Sequence, residues 1–314
     1  MNACFIGIDL GGTRVKIGLV ANNRLISQAV VTARAAQGMA ASLPIITEHV
    51  NMLLKKFALT QTSLQGVSLG FPGLVDPYQK KILSTNGKYA DAHTIDLEAW
   101  VKEEWNVPFF IDNDARMAAI GEWKFGAGKN TDDLVMVTIG TGVGTAAILN
   151  GKLLRGKHFQ AGCLGGHLSV QFNGRQCSCG NAGCMEAYAA TWSIKEQILA
   201  DKDYIDSALH DAEVIDFESL FAAAEKGDAL ALQIQQQCLD IWSTGVVNLI
   251  HAYDPEVVVI GGGVMQDPER ILPYITHQVH QHAWCPWGTV QIRATQLGND
   301  AGILGAVYAL QHPV

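Results

Sequence analysis

Two stretches of this chain share one build, and that repetition limits the folds open to it. The first, CFIGIDLGGTRVKIGLV (residues 4–20), is an apolar strand, a Gly-Gly-Thr turn and a second strand in which Val15, Ile17 and Leu19 alternate. The second, VMVTIGTGVGTAAILNGKLL (residues 135–154), repeats strand, Gly-Thr-Gly turn and strand. Glycine-turned hairpins are common singly, but one at the head of each half argues for an internally duplicated α/β fold. The 314 residues suffice for two domains with buried cores. No Ser- or Pro-rich linker separates the halves, so a shared cleft is expected rather than a tether.

Between and beyond the hairpins, periodicity and turn signals predict a helix over 43–57, strands over 66–69 and 107–111, and a helix over 114–123. Asp228 offers an N-cap for a long helix with Leu230, Ile234, Ile241 and Leu249 on its apolar side, and Asp254-Pro255 stops it. VVVIGGGV reads as a buried strand entering a glycine turn. In the closing helix, 301–310, Gly302 and Gly305 lie one turn apart and permit close packing. Residues 156–185 show many glycines and little periodicity, as an irregular segment that needs a staple would.

Composition removes several function classes. A formal net charge of −8 argues against nucleic acid as the main partner, though backbone N–H groups can still hold a nucleotide. Asp9 interrupts the first apolar run, and Thr and Gly residues break the stretch 134–151, so no membrane span or targeting segment is expected. Seven cysteines, three of them within 177–184, suit reduced thiols and a metal better than a disulfide framework, which points to the cytoplasm.

The chemistry-bearing residues fall at the turns. Asp9 beside Gly11-Gly12-Thr13 places an acid and free backbone N–H groups together, as an ordinary hairpin turn or a phosphate loop would. Gly140-Thr141-Gly142 is a second such turn, and two of them facing across a cleft could clamp a phosphate chain. Asp114, at a strand–helix junction, reads either as an N-cap or as a general base for phosphoryl transfer to an alcohol, and residue physics alone favours the cap. His167 with Cys177-x-Cys179-Gly180-x-x-Gly183-Cys184 offers one imidazole and three thiolates, enough for a closed, structural tetrahedral zinc site.

Eight motifs in order, DLGGTR, GFPGLVD, NDARMAAIGE, GTGVG, GGH, CSCGNAGCME, IGGGV and GNDAGILGA, resemble the ROK family of bacterial sugar kinases and related repressors. The resemblance covers nearly the whole chain. It implies two actin-like (ribonuclease H-like) domains with an interdomain cleft and a zinc-stapled loop. Their expected spans are 1–113 with the C-terminal helix 299–314, and 114–298. It implies a hexokinase-type ATPase that phosphorylates a hexose, most simply at C6, or an N-acetylhexosamine, using ATP and Mg²⁺, with structural Zn²⁺; a homodimer is expected.

By the same resemblance Asp114 becomes the general base. Asp9, Gly11, Gly12, Thr13, Gly140, Thr141 and Gly142 hold phosphates, and Gly261, Gly262 and Gly263 approach the adenosine. Gly73, Asn86, Asn113, His167 and Glu186 contact the sugar, and His167, Cys177, Cys179 and Cys184 bind zinc. Arg116 stands where many members carry Asn, a change expected to matter little at the reacting centre. Leu164 stands where the family usually has a glutamate that accepts sugar hydroxyls, which implies weak glucose affinity or a different sugar. The repressors of the family carry a helix-turn-helix before the first phosphate loop; here that loop begins at Gly7, and a kinase is expected.

Overall fold

In a computed structural model, which describes residues 3–85 and 87–312, the opening motif is a hairpin. Its strands β1 (Cys4–Leu10) and β2 (Arg14–Ala21) pair antiparallel from Phe5–Val20 to Leu10–Val15. β3 (Arg24–Thr32) adds to β2 with alternating half-buried and exposed residues, the pattern of a sheet edge; it has no counterpart in the sequence reading. Helix α1 (Leu43–Lys56) follows and buries Ile46, Val50, Leu53 and Leu54, the i, i+4, i+7, i+8 stripe of an amphipathic helix. β4 (Leu64–Phe71) runs parallel to β1, and β5 (Leu74–Asp76) and β6 (Lys81–Ser84) form a small hairpin.

Asp96 caps helix α2 (Leu97–Trp105), its Oδ1 accepting from the Ala99 N–H at 2.9 Å. The last strand of this sheet, β7 (Phe109–Asn113), completes the order β3-β2-β1-β4-β7 and feeds directly into α3 (Asp114–Phe125). Ile6, Ile8, Leu10, Ile17, Leu69 and Phe71 are fully buried in its core.

The second hairpin is β8 (Leu134–Ile139) and β9 (Val143–Leu149), extended by β10 (Lys152–Leu153). Between residues 154 and 185 there is no strand or α-helix among the described residues, as the sequence reading anticipated. Helices α4 (Glu186–Ala189), α5 (Thr191–Ala200), α6 (Phe217–Glu225) and α7 (Ala229–Tyr253) come next. Asp228 caps α7 by accepting from the Ala231 N–H at 2.9 Å, and Asp254 ends it in the left-handed region.

On α7 the core row is Ile234, Cys238, Trp242 and Val246, each four residues on from the last. Ile241, expected on that face, lies one row aside and is only half-buried. Trp242 takes its place and donates Nε1–H to the Ala189 carbonyl at 2.9 Å. β11 (Val257–Gly261) is buried throughout; after α8 (Pro268–His282), β12 (Gln291–Ala294) closes the sheet order β10-β9-β8-β11-β12.

The chain divides into two compact units. One runs to Asp132 and takes in Ala146–Cys163 and everything from Gln296 onward; the other is Asp133–Thr145 with Leu164–Thr295. The expected division at 113/114 and 298/299 therefore shifts, and α3 belongs to the first unit. The last helix, α9 (Ala301–Gln311), explains why. A β-carbon on Gly305 would lie 1.8 Å from the Met117 carbonyl oxygen, and one on Gly121 would lie 2.1 Å from that of Ala301. The two helices touch backbone to backbone. The buried Glu122 ties α3 further to the segment before α9, its Oε1 accepting from the Leu297 N–H at 2.8 Å.

Gly305→Ala has backbone on its near side with no flexible side chain to give way. It should lower stability by about 1–3 kcal/mol, the usual cost of overpacking, read as a lower urea midpoint. A midpoint unchanged from the parent would contradict the close helix contact. No helix among the described residues is long and apolar enough to cross a membrane.

Candidate active site

In the first unit the turn after β1 is closed by the Gly11 N–H donating to the Arg14 carbonyl at 3.0 Å. Asp9, at the end of β1, accepts from Lys16 Nζ at 3.1 Å. Gly302 packs behind it; a β-carbon there would stand 3.1 Å from Asp9 Cγ. Thr13 is exposed at the tip.

Asn113, not Asp114, is the cap of α3: its Oδ1 accepts from the Arg116 N–H at 3.1 Å. Asp114 occupies the first helical position, so the cap reading of its role falls. Asn113 Nδ2 donates to Gly73 O at 3.1 Å and to Asp114 Oδ1 at 3.0 Å. Asp114 Oδ1 also accepts from the Ala115 N–H at 2.8 Å. The side-chain donor of Asn113 and the backbone donor of Ala115 thus fall on the same carboxyl oxygen and orient the group.

Gly73 is obligatory beside this pair, since a β-carbon would stand 2.2 Å from the Ser84 carbonyl oxygen. Burial, and then the charge of Asp9, push the Asp114 carboxyl up to about 7, against the opposing pull of the Ala115 N–H and Lys88. Asn86 lies outside the described residues.

The residues flanking Asp114, Asp112 and Arg116, belong to a buried charge network absent from the sequence reading. Asp112 Oδ1 accepts from Arg116 Nη1 at 3.2 Å, and its Oδ2 lies 2.8 Å from Arg155 Nη2. Arg116 Nη2 also donates to the carbonyls of Phe159 and Ala161 at 2.9 and 3.0 Å. Arg116 therefore has structural work that the expectation about the reacting centre did not cover. Asp112 and Arg116 are four residues apart, but they straddle a strand–helix junction where no periodicity marks them.

In the second unit the Gly140-Thr141-Gly142 turn is fastened from two sides. The Gly140 carbonyl accepts from Thr191 N–H at 2.9 Å and from its hydroxyl at 2.8 Å. Glu186 Oε2 accepts from the Val143 N–H at 2.7 Å, and its Oε1 from the Trp192 indole at 3.3 Å. Glu186 thus braces the turn, and each oxygen keeps a further lone pair for a hydroxyl donor. Gly262 has φ 92°, and a β-carbon there would stand 2.2 Å from the Ile139 carbonyl oxygen. Gly261 and Gly263 flank it at the end of β11.

The ligand atoms of His167, Cys177, Cys179 and Cys184 all lie within 4.8 Å of one another. Cys179 Sγ is 3.7 Å from Cys184 Sγ, and Cys177 Sγ is 3.6 Å from His167 Nδ1. Two thiolates on one zinc at about 2.3 Å would stand about 3.8 Å apart, so spacing and donor set both fit a tetrahedral site. The local backbone is built for it. Gly183 has φ 79°, and a β-carbon would stand 1.7 Å from the Gln171 carbonyl oxygen. Asn181 Nδ2 approaches Cys184 Sγ at 3.5 Å. Leu164, half-buried, precedes the short turn Gly165–His167, and its carbonyl accepts from the His167 N–H at 2.9 Å.

The family model described as ROK matches residues 5–312. The chain belongs to the ROK family. This ROK protein is 31% identical to a glucokinase from Thermotoga maritima, over 98% of each chain. It is 29% identical to the xylose repressor of Bacillus subtilis, over 83% of this chain but 65% of the repressor. A crystal structure of a ROK family glucokinase from Streptomyces griseus in complex with glucose and AMPPNP superposes with a TM-score of 0.83 at 28% identity, covering 98% of this chain and 100% of that one. The actin-like two-domain fold of the ROK protein follows from that likeness.

Proposed function

We propose that this ROK protein transfers the γ-phosphoryl group of ATP to a hexose, at the C6 hydroxyl, with Asp114 as general base. One observation carries the reading: a half-buried carboxyl, oriented through one oxygen and raised to about 7, is matched to taking a hydroxyl proton near neutral pH. As the sugar oxygen bonds to the γ-phosphorus, the bond from that phosphorus to the bridging oxygen breaks and ADP leaves. The hydroxyl proton passes to Asp114 Oδ2. The turns at Gly11-Gly12-Thr13 and Gly140-Thr141-Gly142 offer backbone N–H groups to phosphate oxygens, and Gly261, Gly262 and Gly263 let the backbone approach the adenosine. Asp9 is the carboxylate suited to Mg²⁺, whose chemistry here is to neutralise phosphate charge.

Gly73, Asn86, Asn113, His167 and Glu186 are the residues proposed to meet the sugar. With Leu164 in place of a carboxylate, glucose affinity should be weak, and an N-acetylhexosamine is the second substrate class to test. ADP release is to be measured with glucose, mannose, N-acetylglucosamine and N-acetylmannosamine. Turnover with one of them is expected. Tight sugar binding with no ADP release from any would favour a sensor, as the likeness to a xylose repressor allows.

Zinc is assigned to His167, Cys177, Cys179 and Cys184 as a structural metal that folds the loop and leaves no position open for water. Cys179→Ser should weaken zinc binding by more than about a hundredfold, beyond what even outer-shell changes cost. The loop around residues 165–184 should then become sensitive to protease. Elemental analysis that finds no zinc in the parent protein, purified without chelator, would refute the assignment.

A further inference from the structure

Lys88 has no part in the reading above, yet the structure delivers it to the first glycine turn. A β-carbon on Gly12 would stand 2.9 Å from Lys88 Cε and 3.2 Å from its Nζ, so the ammonium lies over the turn at the distance of a contact. The segment carrying it is anchored. Its neighbour Tyr89 is fully buried, donates its hydroxyl to the Gly11 carbonyl at 2.8 Å, and donates its N–H to the Ala35 carbonyl at 2.9 Å. Tyr89 holds φ 52°, a left-handed conformation that costs a bulky residue energy and persists where the surroundings impose it. The Lys88 N–H itself donates to the Thr85 carbonyl at 3.0 Å.

The nearby Lys16 is already engaged with Asp9. Lys88 also acts on Asp114, drawing its carboxyl down against the effect of burial. One ammonium therefore lies beside the turn proposed to hold phosphate and within electrostatic reach of the proposed base.

We propose that Lys88 is a further catalytic residue, a cation that contacts the terminal phosphate at the Gly11–Gly12 turn and stabilises the charge shifting onto its oxygens during transfer. It gives up no proton. The sugar O–P bond forms as the bridging P–O bond breaks, the hydroxyl proton goes to Asp114, and Lys88 stays an ammonium throughout. This rests on the kinase reading for its chemistry, but the phosphate contact can be measured without turnover.

The test compares the parent with Lys88→Met and Lys88→Arg. Calorimetry with AMPPNP and with ADP, both with Mg²⁺, reads the contact directly. Lys88→Met should bind AMPPNP about tenfold more weakly, the loss of one charge-assisted contact, and ADP nearly as the parent does. Its kcat should fall by about a hundredfold with little change in sugar KM. The acid limb of its pH–rate profile should move to higher pH, because the cation that favours ionised Asp114 is gone. Lys88→Arg should recover part of both losses. Unchanged AMPPNP affinity and kcat in Lys88→Met, with an active parent, would overturn the assignment of Lys88. A parent that never releases ADP, yet loses AMPPNP affinity on the same substitution, would overturn the kinase reading and leave the phosphate contact standing.

Discussion

Asp114→Asn should abolish most turnover and leave a protein that melts later than its parent. The rate loss expected for a missing general base is about 10²–10⁴ in kcat. The amide keeps an oxygen for the Ala115 N–H and Asn113 Nδ2, so the start of α3 is not disturbed. The stability gain follows from the same raised carboxyl. A folded-state value near 7, above the unfolded 3.8, means that the folded protein binds this proton more tightly.

The stability this gives is full below the unfolded value and is lost as pH rises through about 7. At pH 8 the ionised Asp114 is therefore a cost, and removing it should contribute about 1–2 kcal/mol, allowing for the solvent that reaches a half-buried group. The Tm difference between variant and parent should be largest at pH 8 and shrink toward pH 4. The parent's own kcat/KM should rise to a plateau above about pH 7 as the base ionises. Turnover in Asp114→Asn close to that of the parent would defeat the base assignment.

Arg116→Met should be the most damaging single change to the fold. Arg116 and Asp112 are both 0% exposed, and breaking a buried pair by removing one member costs about 3–5 kcal/mol. Arg155 would remain on Asp112, but the carbonyls of Phe159 and Ala161 would lose their shared donor. Arg116→Lys should recover only part, because an ammonium cannot fork between a carboxylate and two carbonyls. Denaturant unfolding measures the loss, and proteolysis confined to residues 155–163 would locate it. A loss under about 1 kcal/mol would mean that solvent or Arg155 compensates fully.

What the sequence made legible is what carries a local signature. Glycines that turn a hairpin, the Cys-x-Cys spacing and the caps at Asp228 and Asp254 are each decided by a few adjacent residues, and each stands where expected. The helix begins at Asp114 as expected, and only the cap reading misses by one residue, because an Asn-Asp pair can cap through either side chain and only the backbone shows which. The Asp112–Arg116–Arg155 network left no trace, since a buried arginine and a solvated one look alike until the fold closes over them. The boundary between units was equally silent. One of its crossings cuts β9 between Thr145 and Ala146, where the strand runs on without a break in its apolar pattern. β3 escaped notice because half its residues face outward, and an edge strand has no apolar run to betray it.

The contact between α3 and α9 sets an order of events during synthesis. The first unit is begun early, but the helix that fills the groove beside Gly121 and Met117 is made only after the whole of the second unit. At about 5–20 residues per second, the stretch from Phe125 to Ala301 takes on the order of ten to thirty seconds to emerge. Through that interval the apolar faces later covered by α9 stay open, and the last strand of the second sheet, β12 (Gln291–Ala294), is made only shortly before α9 begins at Ala301. The half of the molecule that starts first is therefore the half that finishes last.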